Sequence, residues 1–363
     1  MVSVRLEGIT KKYLDRTVID NLSMEVGDGV FACLLGPQGA GKTTLLRIIA
    51  GLEKPTSGRV YFGEEDVTDY EPGDRNVAMV FQTFALYPQK TVFQNLEFTL
   101  MKDKMSKEER KQRIDETSKL LRMTHLLDKK PAFLSGGEKQ RVSMGRALVR
   151  NPNLFLLDEP LTNLDAKLRL HMRSELKKIQ KAVGQTAIFT TADDIEAITM
   201  SDKIAVVNEG RLQQYDEVYA VYDHPKNIFT GKFVGTPTIN LVDCKLAQTG
   251  DKVFLDMKGQ MYDISEIKND LQGKEIGSDL TLGIRPSDIT VDKTKSSDRS
   301  LSAKVYEMIL TGDIYEMALD IGGNIFRALV PSTFKASIGD PFWVNFDDKK
   351  LHIFDKQTGN SVI

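Results

Sequence analysis

A glycine-rich loop between an apolar run and a helix constrains this chain more than any other feature. The loop reads Gly36-Pro37-Gln38-Gly39-Ala40-Gly41-Lys42-Thr43, followed by Thr44. Residues 30–35 before it predict a buried strand, and residues 43–50 predict a helix that ends at Gly51. Glycines let successive backbone N–H groups point at an anion, at the positive end of the following helix. The sequence therefore predicts a phosphate-binding loop in which Lys42 neutralises the β- and γ-phosphates and the Thr43 hydroxyl binds Mg²⁺.

Two adjacent acids follow a second apolar run. Residues 154–157 predict a buried strand, and Asp158 and Glu159 come directly after it. Burying two unpaired carboxylates would be costly, so we expect them at the edge of the sheet rather than inside it. There Asp158 would bind the Mg²⁺ through water. Glu159 would act as the general base that polarises or orients an attacking water.

A second anion-binding helix start is predicted further along the chain. Ser135, Gly136 and Gly137 precede Glu138 and an amphipathic helix over residues 138–149. Alone, a Ser-Gly-Gly segment is equally typical of an ordinary turn. One nucleotide does not need two such sites from one chain, whereas two chains arranged head to tail would each supply one. We call residues 135–138 the signature segment and predict that they contact the nucleotide of a partner chain.

Composition and charge exclude several functional classes. The 363 residues suffice for one large core and a smaller one. The 49 Lys and Arg residues nearly balance the 51 Asp and Glu residues, which argues against a nucleic-acid partner. Cys33 and Cys244 lie far apart without metal-ligand spacing, as expected in a reducing cytosol. The longest apolar runs are strand-sized and the N terminus lacks a signal-peptide pattern, so any membrane role is expected to be peripheral.

Strand and helix patterns alternate through the first part of the chain and predict a mainly parallel sheet. Ser106 and Glu109 predict a capping box within a helical subdomain at about residues 88–150. From about residue 236, short alternating segments separated by Gly, Asp and Pro predict a small all-β barrel. The predicted domains are residues 1–235 and 236–363. Further predicted elements are strands at residues 2–6, 186–190 and 204–207 and a helix at residues 166–183.

These motifs together resemble those of the ATP-binding subunits of ABC importers, especially the carbohydrate-uptake branch typified by the maltose-importer ATPase. The resemblance implies an α/β P-loop NTPase fold, with a RecA-like core and helical subdomain, followed by a C-terminal all-β OB-like (TOBE) regulatory domain. It implies ATP and Mg²⁺ as ligands and covers nearly the whole chain. The matching segments are residues 36–44 (Walker A), 80–82 (Q-loop), 134–142 (signature), 156–160 (Walker B), 164–165 (D-loop), 196–197, 208–211 and 282–286.

The resemblance also implies roles for three further residues. Tyr13 looks like the aromatic residue that stacks on adenine, with ordinary β-sheet packing as the alternative. Gln82 would touch the Mg²⁺ or the attacking water and report to a membrane subunit, with Phe84 and Tyr87 beside it. An apolar cluster of that kind is also typical of a core. Asp165 would contact the nucleotide, cap the following helix, or do both.

One position departs from the family pattern. Family members place a histidine that contacts the γ-phosphate after the threonine of this strand, whereas this chain reads Thr191-Ala192-Asp193. Alanine cannot donate a hydrogen bond, and losing such a contact commonly costs ~2.7–4 kcal/mol, or ~10²–10³ in rate. The site built on Lys42 is therefore expected to hydrolyse ATP poorly. The other histidines, none of which matches a position that could replace it, are His125, His171, His224 and His352.

The resemblance implies two membrane-spanning permease subunits and an extracytoplasmic solute-binding protein as partners, on the cytoplasmic face of the cell membrane. ATP binding would clamp two ATPase subunits together and hydrolysis would reset them. Because Ala192 alters only this chain's own site, we favour pairing with a second, different ATPase subunit. A slow homodimer, or an alanine introduced to trap ATP, is the alternative.

Two other classes of function stay open at this stage. One is an ATP-binding regulator with little turnover. The other is a soluble ABC ATPase acting on ribosomes or DNA, which the single Walker A motif and the all-β tail disfavour. The transported solute would be of the sugar, polyol, glycerol or glycerol-phosphate type, and the sequence does not distinguish among these.

Overall fold

The computed structural model describes residues 2–101, 105–271 and 273–363, which form two compact units. The first unit ends at Val218, and the second comprises Tyr219–Ile363. Residue 1 of the predicted first domain, residues 102–104 of the predicted helical subdomain and residue 272 lie outside the described residues. The predicted domain boundary after residue 235 stays a prediction.

The first unit alternates strands and helices. Its strands are β1 (Val4–Tyr13), β2 (Arg16–Val26), β3 (Phe31–Leu35), β4 (Ser57–Phe62), β5 (Glu65–Asp66), β6 (Val77–Val80), β7 (Leu154–Asp158), β8 (Thr186–Thr191), β9 (Lys203–Asn208) and β10 (Arg211–Glu217). Its helices are α1 (Lys42–Ala50), α2 (Val92–Leu100), α3 (Lys107–Leu120), α4 (Gly136–Leu148), α5 (Ala166–Val183) and α6 (Asp194–Met200).

A six-stranded sheet in the order β10-β9-β3-β8-β7-β6 forms the centre of the first unit. All neighbouring pairs are parallel except β10 and β9, so the predicted mainly parallel sheet is confirmed. Every residue of β3, β7 and β8 is buried, which explains the continuous apolar runs of β3 and of residues 154–157 in β7. Leu34 and Leu156 of this sheet belong to the same apolar core as Leu45 and Leu46 of α1.

A second sheet in the first unit is antiparallel, with the order β2-β1-β4-β5. Of these four strands the sequence predicts only β1, through the strand predicted at residues 2–6. The missed β2 buries Leu22, Met24 and Val26 on one face and leaves the residues between them exposed. That alternation is the pattern of a half-exposed strand, but strongly polar residues on the other face make the run look like a loop.

The helix boundaries follow the capping signals in the sequence. Ser106 N donates to Glu109 Oε2 at 2.7 Å and Glu109 N donates to Ser106 Oγ at 3.1 Å, so the predicted capping box is present at α3. Helix α5 spans the predicted residues. Its first turn is capped by the Asp165 carboxylate, which accepts from Leu168 N at 3.0 Å, and it ends at Gly184 with a positive φ of 72°.

The second unit is almost wholly β-structure. Two five-stranded antiparallel sheets, in the orders β13-β12-β11-β14-β20 and β15-β19-β16-β17-β18, share one apolar core, which confirms the all-β prediction. None of the helices among the described residues is both long and apolar enough to span a membrane. The elements are α7 (Val218–Asp223), α8 (Ile228–Phe233), β11 (Asn240–Thr249), β12 (Lys252–Met257), β13 (Gln260–Asp263), β14 (Asp279–Ile284), β15 (Ile289–Asp292), β16 (Leu301–Thr311), β17 (Ile314–Ile321), β18 (Asn324–Pro331), β19 (Pro341–Phe346) and β20 (His352–Asp355).

Candidate active site

The predicted phosphate loop forms the turn between β3 and α1. Gly39 and Gly41 have φ values of 79° and 97°, in the left-handed region that side chains disfavour. A Cβ atom at Gly36 would lie 2.1 Å from the Val207 carbonyl oxygen, and one at Gly41 would lie 2.8 Å from that of Val18. The loop can therefore follow this path only with glycine at these positions, which leaves its backbone free to approach a ligand closely.

Lys42 begins α1 and is almost completely buried. Its ammonium group donates to the carbonyl oxygens of Gly36 at 2.7 Å and Pro37 at 2.8 Å. Burial lowers the pKa of Lys42, and the carboxylates of Glu159 and Asp158 oppose that shift. A phosphate group bound in the loop would stabilise the charged ammonium further, because an anion nearby favours a cation.

Asp158 is the last residue of β7, and its carboxylate lies beside the phosphate loop. Asp158 Oδ1 accepts from Thr43 Oγ1 at 2.9 Å and from Thr190 Oγ1 at 2.8 Å. Magnesium is usually bound by one or two carboxylates together with phosphate oxygens and water. The hydroxyl of Thr43 and the carboxylate of Asp158, held at one point next to the loop, fit that donor set.

Glu159 has a left-handed backbone conformation, with a φ of 45°. Such a conformation costs about 1–3 kcal/mol in a residue other than glycine, and it persists only where neighbours hold it. The Glu159 N–H donates to Thr190 Oγ1 at 2.9 Å. Its carboxylate oxygen Oε2 accepts from Gln82 Nε2 at 3.1 Å and from Thr162 Oγ1 at 3.2 Å. The structure thus brings the two residues predicted to be catalytic into direct contact.

One cleft of about 430 Å³ collects half of the predicted residues, a volume suited to a nucleotide-sized ligand. Tyr13 lies at the end of β1 with its ring 42% exposed, so an aromatic face is open for stacking. Ala40, in contrast, is buried in the core and contributes only its backbone to the loop. The lining residues are Tyr13, Arg16, Val18, Gln38, Gly39, Gly41, Lys42, Thr43, Thr44, Gln82 and Glu159.

The signature segment does not line that cleft. It forms the start of α4, where Ser135 N donates to Glu138 Oε2 at 2.8 Å and Glu138 N donates to Ser135 Oγ at 3.4 Å. The hydrogen bond from the Ser135 backbone lowers the pKa of Glu138, so this carboxyl group stays ionised. The predicted nucleotide contacts of residues 135–138, and of Asp165 beyond its capping role, stay predictions.

Ala192 lies in a turn whose framework is complete. Thr191 Oγ1 donates to the buried Glu196 carboxylate at 2.7 Å and accepts from Asp193 N at 3.1 Å. Asp193 in turn accepts from Arg173 Nη2 at 3.0 Å. The Thr191 carbonyl oxygen accepts from Gly36 N at 3.3 Å, which ties the turn to the phosphate loop. The exposed methyl group of Ala192 can make no comparable bond.

Sequence comparison accounts for this arrangement. The ABC transporter model matches residues 19–162, and the TOBE domain model matches residues 282–354. The trehalose/maltose import ATP-binding protein of Thermococcus litoralis is 43% identical over 373 residues, covering 100% of both chains. This chain belongs to the ABC transporter ATP-binding family. As an ABC-type ATPase it binds and hydrolyses ATP, and its second unit carries the TOBE domain.

Other proteins similar to this ABC ATPase are also import ATP-binding proteins or ATP-binding cassettes. Two xylose/arabinose import ATP-binding proteins of Haloferax volcanii are 39% and 38% identical, each matching 100% of this chain and 96% of its own length. Among solved structures, a dimeric ATP-binding cassette in a post-hydrolysis state bound to ADP and Pi is 32% identical. It covers 59% of this chain and 98% of its own length, with a TM-score of 0.53.

Three residues of the site are absent from the sequence prediction. Thr190 binds both Asp158 and Glu159, and it lies opposite Asp158 in the parallel pairing of β8 with β7. Arg16 lies opposite Tyr13 at the β1–β2 turn, and Val18 follows it, so both reach the cleft. The signal for Thr190 was a hydroxyl residue at the end of a predicted parallel strand. Arg16 and Val18 required the β1–β2 pairing.

The signature segment offers a direct test because two helices of this ABC ATPase share the same cap. Replacing Ser135 or Ser106 by alanine removes equivalent capping bonds, so each variant should lose about 0.5–2 kcal/mol of stability. Urea unfolding of the purified chain measures that loss. We expect only Ser135→Ala to weaken ATP-dependent association of the ATPase subunits. Equal weakening by Ser106→Ala would contradict a special role for the signature segment.

Proposed function

We propose that this chain is the ATP-binding subunit of an importer for a solute of the sugar, polyol, glycerol or glycerol-phosphate type. Two permease subunits in the membrane and an extracytoplasmic solute-binding protein complete the assembly, and the chain works on the cytoplasmic face of the membrane. The observation that carries the proposal is the division of the site. The cleft is lined by residues of the phosphate loop and by Glu159, with Asp158 bonded to Thr43 beside it, while the signature segment lies outside it.

That division is what a pair of chains arranged head to tail would use. Each chain would place its signature segment over the cleft of its partner, so that ATP binding joins the two. The solved relative with ADP and Pi is itself dimeric. The relatives named above are import ATP-binding proteins for trehalose/maltose and for xylose/arabinose, which supports a solute of this class.

Within the cleft the residues have separate tasks. Backbone N–H groups of the phosphate loop and the Lys42 ammonium bind the β- and γ-phosphates. Thr43 and Asp158, with Gln82, hold Mg²⁺, which would offset the negative charge of the phosphates. Glu159 orients the attacking water and accepts its proton, since it lines the cleft and its charge acts on the Lys42 ammonium. Tyr13 stacks on the adenine.

We further propose that this chain's own site hydrolyses slowly and that its partner is a different ATPase. Ala192 removes a donor from the turn bonded to Gly36, whereas the signature segment is intact. The partner's nucleotide would thus meet a complete signature. Two distinct ATP-binding chains of Haloferax volcanii carry the same import name, which supports such pairing. The alternatives are a slow homodimer and an ATP-binding regulator, both of which Ala192 would also permit.

A groove next to Gln82 is the proposed contact for a permease subunit. It has a volume of about 470 Å³ and is lined by exposed apolar side chains, among them Phe81, Tyr87, Phe98 and Met101. The Tyr87 and Phe98 rings contact each other, with their centroids 4.7 Å apart. An exposed aromatic groove suits a short amphipathic helix, and its position lets Gln82 report the state of the cleft to the membrane.

The impaired site predicts a gain of activity. Ala192→His restores a donor at the turn, so we expect turnover of MgATP by the purified transporter to rise about tenfold or more. Phosphate release measures the rate. Ala192→Leu adds bulk without a donor and should not raise it. If histidine and leucine give the same turnover as alanine, position 192 does not limit hydrolysis and the impaired-site proposal is wrong.

The composition of the transporter tests the choice of partner. We expect a tag on this chain to recover one copy of it with one different ATPase subunit and two permeases, as measured by native mass spectrometry. The mass of a complex with two copies of this chain would instead establish the homodimer. Recovery of the chain without any membrane subunit would contradict the importer proposal itself.

A charge placed in the groove is predicted to weaken permease binding without changing nucleotide binding. Phe98→Glu places a charge in the groove, so association with the permeases in detergent should weaken while nucleotide binding by the isolated chain stays unchanged. Leu120→Glu is the matched control, because Leu120 at the end of α3 is 42% exposed against 41% for Phe98. Equal weakening by the control would contradict the assignment of the groove. Permease recovery on a pull-down and fluorescent-nucleotide titration measure the two effects.

A further inference from the structure

The segment after Gln82 contains two adjacent residues with a strained backbone, and neither of them is glycine. We call residues 81–87 the Gln82 loop. Phe84 has a φ of 60° and Ala85 a φ of 49°, both in the left-handed region. Each such residue costs about 1–3 kcal/mol, so the surroundings must hold this turn in place.

Helix α4 holds the turn on one side. Ser143 Oγ donates to the Phe84 carbonyl oxygen at 2.9 Å, and the Arg146 guanidinium donates to the carbonyl oxygen of Ala85. The Arg146 guanidinium also lies over the Tyr87 ring, 4.7 Å from its centre. Ser143 is buried, so its hydroxyl bond to Phe84 is partly shielded from water. This is the helix that begins at the signature segment.

The segment that follows Glu159 holds the loop on the other side. Asn163 Nδ2 donates to the Gln82 carbonyl oxygen at 2.8 Å. With its backbone fixed there, Gln82 directs its side-chain amide to Glu159 Oε2 at 3.1 Å. Thr162, the neighbour of Asn163, donates to the same carboxylate oxygen. The catalytic carboxylate and the Gln82 loop are therefore fixed by adjacent residues.

We propose that Ser143 and Asn163 are positioning residues that hold the Gln82 loop so that the Gln82 amide orients Glu159. This inference rests on the proposed function, in which Glu159 orients the attacking water. Ser143 acts from α4 and Asn163 acts from the segment after β7, and neither lines the cleft. We call Ser143 and Asn163 the clamp. Helix α4, which carries Ser143, starts with the signature segment that would contact the partner's nucleotide. The geometry of Glu159 in this chain's site would therefore depend on the position of α4.

The first test uses the isolated full-length chain and no partner. Ser143→Ala removes the hydrogen bond from the Ser143 hydroxyl to the Phe84 carbonyl oxygen. Asn163→Asp keeps the shape of the side chain but replaces the donor with a carboxylate that repels the Gln82 carbonyl oxygen. Hydrogen exchange of amides in residues 81–87 should become about two- to tenfold faster in each, the effect of losing one hydrogen bond. Asn163 is exposed, so its variant should fold normally.

Ser118→Ala is the matched control for Ser143→Ala. Ser118 is also a buried helical serine, but its hydroxyl donates to the Asp115 carbonyl oxygen within α3. Exchange in residues 81–87 should not change in this control. Unchanged exchange in Ser143→Ala and Asn163→Asp, or equal acceleration in Ser118→Ala, would overturn the clamp. None of these outcomes depends on whether the chain serves an importer. The importer proposal is tested separately, by the subunits that are recovered with this chain.

The second test measures MgATP turnover by the purified transporter, with every variant placed in the Ala192→His chain. Each clamp variant should lower kcat about tenfold while KM stays within about twofold, since the clamp orients Glu159 and does not touch the nucleotide. The double variant should also fall about tenfold rather than a hundredfold, because both residues act through one loop. A raised KM with unchanged kcat, or fully additive losses, would overturn the proposal.

Discussion

The parallel register of β3, β8 and β7 sets the position of the phosphate loop and of the two acids beside it. Leu35 lies opposite Thr191 and Asp158 lies opposite Thr190, so three strands reach the same edge of the sheet together. The phosphate loop, Asp158 with Glu159, and the turn at Ala192 all begin at that edge. A slip of one residue in β7 would turn the Asp158 side chain to the other face of the sheet, away from Thr43. Burial of all three strands makes such a slip costly, because it would break the close packing along both of their faces.

Three residues of the candidate site have left-handed backbone conformations: Glu159, Phe84 and Ala85. Thr190 holds Glu159, whereas two side chains of α4 hold Phe84 and Ala85. The phosphate loop avoids the same strain by using glycine, because its backbone must approach a ligand and cannot be crowded by side chains. The Gln82 loop uses ordinary residues and is fixed from outside. It follows that the phosphate loop is formed by its own sequence, whereas the Gln82 loop depends on α4 and on Asn163.

The sequence predicts the local units of this fold better than their pairing. Helix α5, with Asp165 at its start and Gly184 after its end, follows from capping chemistry that acts within a few residues. The strand, loop and helix around Lys42 follow in the same way. The antiparallel sheet of β1, β2, β4 and β5 does not, because β1 also pairs with the distant β4 and the exposed faces of these strands are polar. Arg16 and Val18 enter the cleft only through that pairing, and Asn163 meets Gln82 only through the pairing of β6 with β7. Residues that act through strand pairing or distant contacts therefore escape motif reasoning, while residues inside one motif do not.

The turn at Ala192 has a complete hydrogen-bonded framework although the side chain at position 192 is only a methyl group. Buried Glu196 binds Thr191, and Arg173 binds Asp193, so the turn keeps its shape without help from the side chain at 192. Burial raises the pKa of Glu196, and the Thr191 hydroxyl bond opposes that shift, which marks Glu196 as a group whose ionised form costs energy. A costly buried acid is expected where it fixes backbone geometry, and here that geometry includes the Thr191 carbonyl bonded to Gly36. The framework of the turn therefore contributes to the phosphate loop itself, so it is retained even where position 192 supplies no donor. On the proposed function, binding of ATP and its hydrolysis would be separable in this chain, and binding alone would let the signature segment serve a partner.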